Sequence, residues 1–123
     1  MLSIILYLTK SLYFDKVVVM DWNKQEKKDL IRAVLLLETP DEVRGFLRDL
    51  MTESEITEFS KRLKAAQMLN NKISYVEIEK ETGLSSTTIA RVSKWLNSKE
   101  GGYKNVINKL HHNNSIQIRR GLS

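Results

Sequence analysis

Ser86, Thr87, Ala90, Arg91 and Lys94 carry hydroxyls, a small methyl group and two cations within one short stretch. Their chemistry is recognition rather than bond-making. Hydroxyls donate or accept at base edges, an Ala or Thr methyl touches the thymine methyl, and Arg or Lys reaches guanine or phosphate. Catalytic constellations are missing: there is no cysteine, no Gly-rich phosphate loop and no paired-carboxylate site. His111 and His112 are adjacent and point in different directions on a helix, which suits solvated side chains better than metal ligands. We therefore expect no enzyme, no cofactor and no metal.

The elements that would hold these residues lie in Ile73–Leu96, ISYVEIEKETGLSSTTIARVSKWL. Ser74 followed by Glu77 forms a capping box and predicts a helix from Tyr75. Gly83 is suited to end it in a left-handed backbone. Ser85 or Ser86 can cap a second helix on which Ile89, Val92 and Leu96 form one apolar stripe. Two helices joined by a tight Gly turn make a helix-turn-helix over 74–97, with Ile78, Leu84, Ile89 and Val92 between them. Such a motif lays its second helix in the DNA major groove. An αα-hairpin used only for packing would share the pattern.

Charge supports the first reading. Residues 1–60 hold 8 Lys and Arg against 11 Asp and Glu, whereas residues 61–123 hold 12 against 4. The basic half contains the motif, and a basic surface attracts a polyanion. At 123 residues the chain suits one domain or one protomer of a dimer. Absence of cysteine and of a secretion signal makes a cytoplasmic protein the expectation.

In chain order, residues 1–20 form an apolar leader whose longest run is far short of the ~20 residues that cross a bilayer, so no membrane partner is expected. It is an overextended or loosely ordered start, Met20 being a candidate first residue, or else a packing element. The domain proper is expected over 21–110. Asp21–Leu37 reads as an amphipathic helix capped by Asp21, with Leu30, Ile31, Val34, Leu35 and Leu37 on a broad stripe. Thr39-Pro40-Asp41-Glu42 opens a second helix to about Met51. Thr52-Glu53-Ser54-Glu55 opens a third through Asn70, with Ile56, Phe59, Leu63, Ala66 and Leu69 along one side. Residues 97–102 form a loop, Tyr103–Leu110 a short helix, and 111–123 a flexible basic tail. The apolar surface of the first helix exceeds what one chain easily hides, so a homodimer is expected.

Laid out this way, Lys24–Leu110 resembles the Trp repressor superfamily, and most closely its TrpR-related branch. The resemblance rests on TPDEVRGFLRDLMTESEITEFSKRLKAAQML, the motif itself and GGYKNVINKL. It implies an all-α, Trp-repressor-like helical bundle, an intertwined homodimer, and a transcription regulator, most simply a repressor, with double-stranded DNA as partner. It adds Thr88 and a phosphate contact from Arg91 to the DNA-reading set. Glu79 stands where the family has a lysine near phosphate. The alternative is a helical protein–protein interaction module, favoured by Glu77, Glu79 and Glu81 on the first motif helix.

The family's repressor holds free L-tryptophan beneath the reading helix, and Thr52, Arg62, Thr88 and Arg91 match that pocket. Val92 and Trp95 stand where the family has a glycine and a serine. A β-branched side chain takes the space the glycine leaves open, and an indole replaces the hydroxyl that helps bind the ligand's amino group. The expectation is a vestigial pocket that Trp95 fills from within, by cation–π contact with Arg62 or Arg91, and a regulator that does not depend on free L-tryptophan. Val92 and Trp95 as ordinary core residues is the competing reading.

Overall fold

The computed structural model describes residues 20–119 and Gly121. Apart from Met20, the leader expected over 1–20 lies outside the described residues. Six helices and no strand occur among the described residues: α1 Gln25–Leu35, α2 Pro40–Leu50, α3 Glu53–Asn70, α4 Tyr75–Thr82, α5 Ser86–Leu96 and α6 Gly102–Arg119. The chain divides into two compact units, one ending at Phe46 and one beginning at Leu47.

The helix starts follow from side-chain oxygens that satisfy otherwise unpaired amides. Thr39 accepts the Glu42 N–H at 3.2 Å, and the Glu42 carboxylate accepts the Thr39 N–H at 3.2 Å, with Pro40 at the first helical position. Thr52 and Glu55 repeat the exchange at 3.2 and 2.8 Å. Ser74 supplies only the first half of a box, accepting the Glu77 N–H at 3.3 Å. The first helix departs from expectation. It begins at Gln25, with Lys24 as an N-cap that makes no side-chain bond. Asp21 instead accepts the Asn23 N–H at 3.0 Å, a local turn that competes with helix initiation.

The far end also differs from expectation. Helix α6 runs on to Arg119 where a flexible tail is expected from 111. No Gly or Pro interrupts Tyr103–Arg119, and extending an existing helix needs no new nucleus. The Ser115 hydroxyl also donates to the His111 carbonyl at 2.9 Å.

In the second unit, α3 packs against α4, α5 and α6, and α5 packs against α4 and α6. The core consists of Ala65, Ala66, Ile78, Leu84, Ile89, Val92, Leu96 and Ile107, with Met68, Leu69, Ile73 and Tyr103 packed on it. Two adjacent alanines, both without exposed surface, let a crossing helix come close to the α3 backbone. Of the stripe expected on α3, only Ala66 is buried; Ile56, Leu63 and Leu69 are half-buried and Phe59 is exposed. In the first unit, α1 buries no residue, and Leu35 and Leu36 are 77% and 74% exposed.

Ile89→Ala should destabilise the fold by about 2–5 kcal/mol, because it empties a site with no exposed surface. Val76→Ala, at a 60% exposed position of α4, should stay within about 0.5 kcal/mol. Paired urea melts check both, and equal midpoints would show that the core lies elsewhere.

Candidate nucleic-acid interface

The motif is assembled by its turn. Gly83 sits at φ 73° and its N–H donates to the Glu79 carbonyl at 2.8 Å. Thr82, a buried polar residue, donates its hydroxyl to the Ile78 carbonyl at 2.7 Å and accepts the Leu84 N–H at 3.2 Å. One hydroxyl thus ties the last turn of α4 to Leu84, the middle residue of the connection. A polar residue just before a helix-ending glycine is its only sequence signal, and it is a weak one.

Helix α5 starts on Ser85, whose Oγ accepts the Thr88 N–H at 3.2 Å and donates to Thr88 Oγ1 at 3.0 Å. Its inner side is Ile89, Val92 and Leu96, each at most 3% exposed. With 3.6 residues per turn, that places Thr87, Ala90, Arg91 and Lys94 on the opposite side. Ser86, Thr87, Ala90, Arg91 and Lys94 are all exposed, and Thr88 is half-buried on one flank. Among the described residues neither Arg91 nor Lys94 takes part in an ion pair. The surface offers hydroxyls at the helix N-terminus and two cations further along. On α4, Glu77 and Glu81 are exposed and Glu79 is half-buried; Glu81 shares a groove with Lys61 and Lys64 of α3.

Beside the exposed face of α5, Arg62, Thr88, Arg91, Val92, Trp95 and Tyr103 line a cleft of about 90 Å³. Five of the six expected pocket residues therefore meet. Thr52 is not among them: it is the N-cap of α3, its hydroxyl accepting the Glu55 N–H. Nor does Trp95 fill the space, being 38% exposed at the cleft wall. The expected stacking of a guanidinium on Trp95 is also replaced. The Arg62 guanidinium carbon lies 5.4 Å from the Phe59 ring centroid, the neighbour that three-residue spacing on one helix provides. Arg62 Nε is 3.5 Å from Glu58 Oε1, an ion pair without hydrogen-bond geometry, and this buried atom has no other partner.

Tyr103, on α6, is the cleft residue that sequence reasoning missed. Burial pushes its phenol above the ordinary range, and the nearby Arg62 charge pulls in the opposite direction. Among the described residues no group of His, Cys, Asp and Glu could hold a metal ion, and no helix is long and apolar enough to cross a membrane.

Comparison with known proteins agrees with this geometry. The family described as Trp repressor protein matches residues 25–111. The YerC protein of Bacillus subtilis (strain 168) is 35% identical over 86 residues, which span 70% of this chain and 83% of that protein. A TrpR-like protein from Eubacterium eligens ATCC 27750 superposes with a TM-score of 0.70 at 36% identity, over 73% of this chain and 93% of its own. A chain from Staphylococcus aureus does so at 0.70 and 31%, over 76% and 96%.

The opposing influences on Tyr103 can be separated by ultraviolet titration. Because the phenol is raised in the folded state, its contribution to stability is present below the unfolded value and is lost as pH climbs through the folded one. Tyr103→Phe should remove a high-titrating phenol, and Arg62→Leu should move it further up. A downward shift in the Arg62 variant would contradict the assigned contact.

Proposed function

The chain belongs to the Trp repressor family, and on that premise we propose that it is a cytoplasmic, sequence-specific DNA-binding regulator of transcription, most simply a repressor, acting as a homodimer. The observation that carries this reading is the two-sided character of α5. Its apolar side is sealed in the core, while Ser86, Thr87, Ala90, Arg91 and Lys94 are exposed. Thr88, at the flank, joins the set through the family. A helix held this rigidly and offering hydroxyls and cations can enter a major groove, and two copies related by a two-fold axis would meet half-sites about one helical turn apart.

Support for the homodimer comes from the first two helices. Helices α1 and α2 bury no residue within one chain, and Leu30, Ile31, Val34, Leu35 and Leu36 are 41–77% exposed. An apolar surface of that continuity marks a protein–protein contact.

Regulation is proposed to be independent of free L-tryptophan. A cleft of about 90 Å³ is smaller than the roughly 150 Å³ cavity known to admit benzene, and indole is larger than benzene. Val92 and Trp95 occupy the two positions where an open pocket would need a glycine and a serine. Cations at Arg62 and Arg91 remain on the cleft wall.

In gel-shift assays on a duplex selected from random DNA, binding should weaken steeply between low and moderate salt. Arg91→Ala with Lys94→Ala should lower affinity at least tenfold while the sedimenting mass stays at twice 14.3 kDa. A protein-only adaptor would shift no duplex at any salt. Calorimetric titration of the purified dimer with L-tryptophan should give no binding heat, and micromolar affinity would refute tryptophan independence.

A further inference from the structure

We infer that the groove on the other flank of α5, where α3, α5 and α6 meet, is a second binding surface that grips the phosphate backbone of the same duplex. It measures about 300 Å³ and carries Lys72, Lys104, Asn70, Ser93 and Asn97 above a floor of Leu69, Ile73 and Leu96. No carboxylate lines it. Lys72 and Lys104 are both exposed, so their ammonium groups stay hydrated and free to exchange water for an anion.

The backbone supplies a separate argument. Lys72 is the only non-glycine residue at positive φ among the described residues, at 62°. It occupies the left-handed position after α3, with its N–H donating to the Leu69 carbonyl and the Ile73 N–H to the Met68 carbonyl, both at 3.0 Å. Glycine takes that position without steric cost and lysine does not. A lysine standing where glycine would cost less points to a use for its side chain.

Helices α3 and α5 end at this groove, and cations offset the negative end of a helix. Each helix end carries only about half an elementary charge, so two lysines leave the groove positive. Position then selects the occupant. Ser93 and Asn97 lie on the flank of α5 away from the Thr88 and Trp95 flank, with the reading face between them. When a helix enters a major groove, the two sugar-phosphate strands run along its flanks, and contacts to them set register without reading sequence.

This surface rests on the proposed DNA binding and deepens it. The test uses the full chain with Lys72→Gly and Lys104→Gln, singly and together, on a duplex selected from random DNA and an unrelated one of equal length. Lys72→Gly should raise the melting temperature yet weaken binding. The double variant should lose affinity for both duplexes alike, leave their affinity ratio unchanged, and flatten the slope of log K against log salt by roughly 3.6, about 0.9 for each of two lysines in each of two protomers. Wild-type affinity and slope in the double variant, with binding still lost in Arg91→Ala/Lys94→Ala, would overturn the groove and keep the reading face. Weaker binding with an unflattened slope would reduce the lysines to a structural role. A wild-type chain that shifts neither duplex would remove both.

Discussion

The placement of one apolar stripe decides most of this molecule. Ile89, Val92 and Leu96 are sealed in a core that includes the adjacent alanines Ala65 and Ala66 of α3. Apolar burial has no direction of its own, so the close approach permitted by two small side chains turns attraction into orientation. Once that side of α5 is held inward, helix periodicity fixes what faces water. Ser86, Thr87, Ala90, Arg91 and Lys94 are exposed because they lie away from that stripe.

Polar contacts refine that arrangement at its ends. Thr82 bonds both the Ile78 carbonyl and the Leu84 amide, spanning the only turn that separates the two motif helices. Ser85 takes an otherwise unpaired amide at the start of α5. Each bond contributes about 1 kcal/mol net, far less than the apolar stripe, yet a buried group left unpaired would cost more than that. Such bonds determine the angle at which the second helix is offered to a partner.

The two flanks of α5 have different chemistry. On one, Arg62, Tyr103 and Trp95 bound a cleft of about 90 Å³, and burial raises the Tyr103 phenol above its ordinary range. On the other, two lysines and two amides form an open polar groove. In the proposed reading, Val92 and Trp95, standing where the resembling family has a glycine and a serine, narrow the cleft that holds an amino acid there. The proposed regulation follows from that narrowing, since a space already walled by the chain's own indole leaves little for a free one.

Much of this was legible in the residues. Capping signatures at Thr39, Thr52 and Ser74, the Gly83 turn and the 3.6-residue spacing on α5 depend on near neighbours, and the helices begin and end where those signals stand. The exposed side of α5 was legible for the same reason, as the complement of a periodic stripe. Contacts between distant segments were not legible. Tyr103 reaches the cleft from α6, a helix separated in sequence from the other cleft residues. Local spacing specifies which side of a helix is apolar, but only the packed core decides how far helices approach and which side chains meet across them, because that depends on volumes contributed by several helices at once.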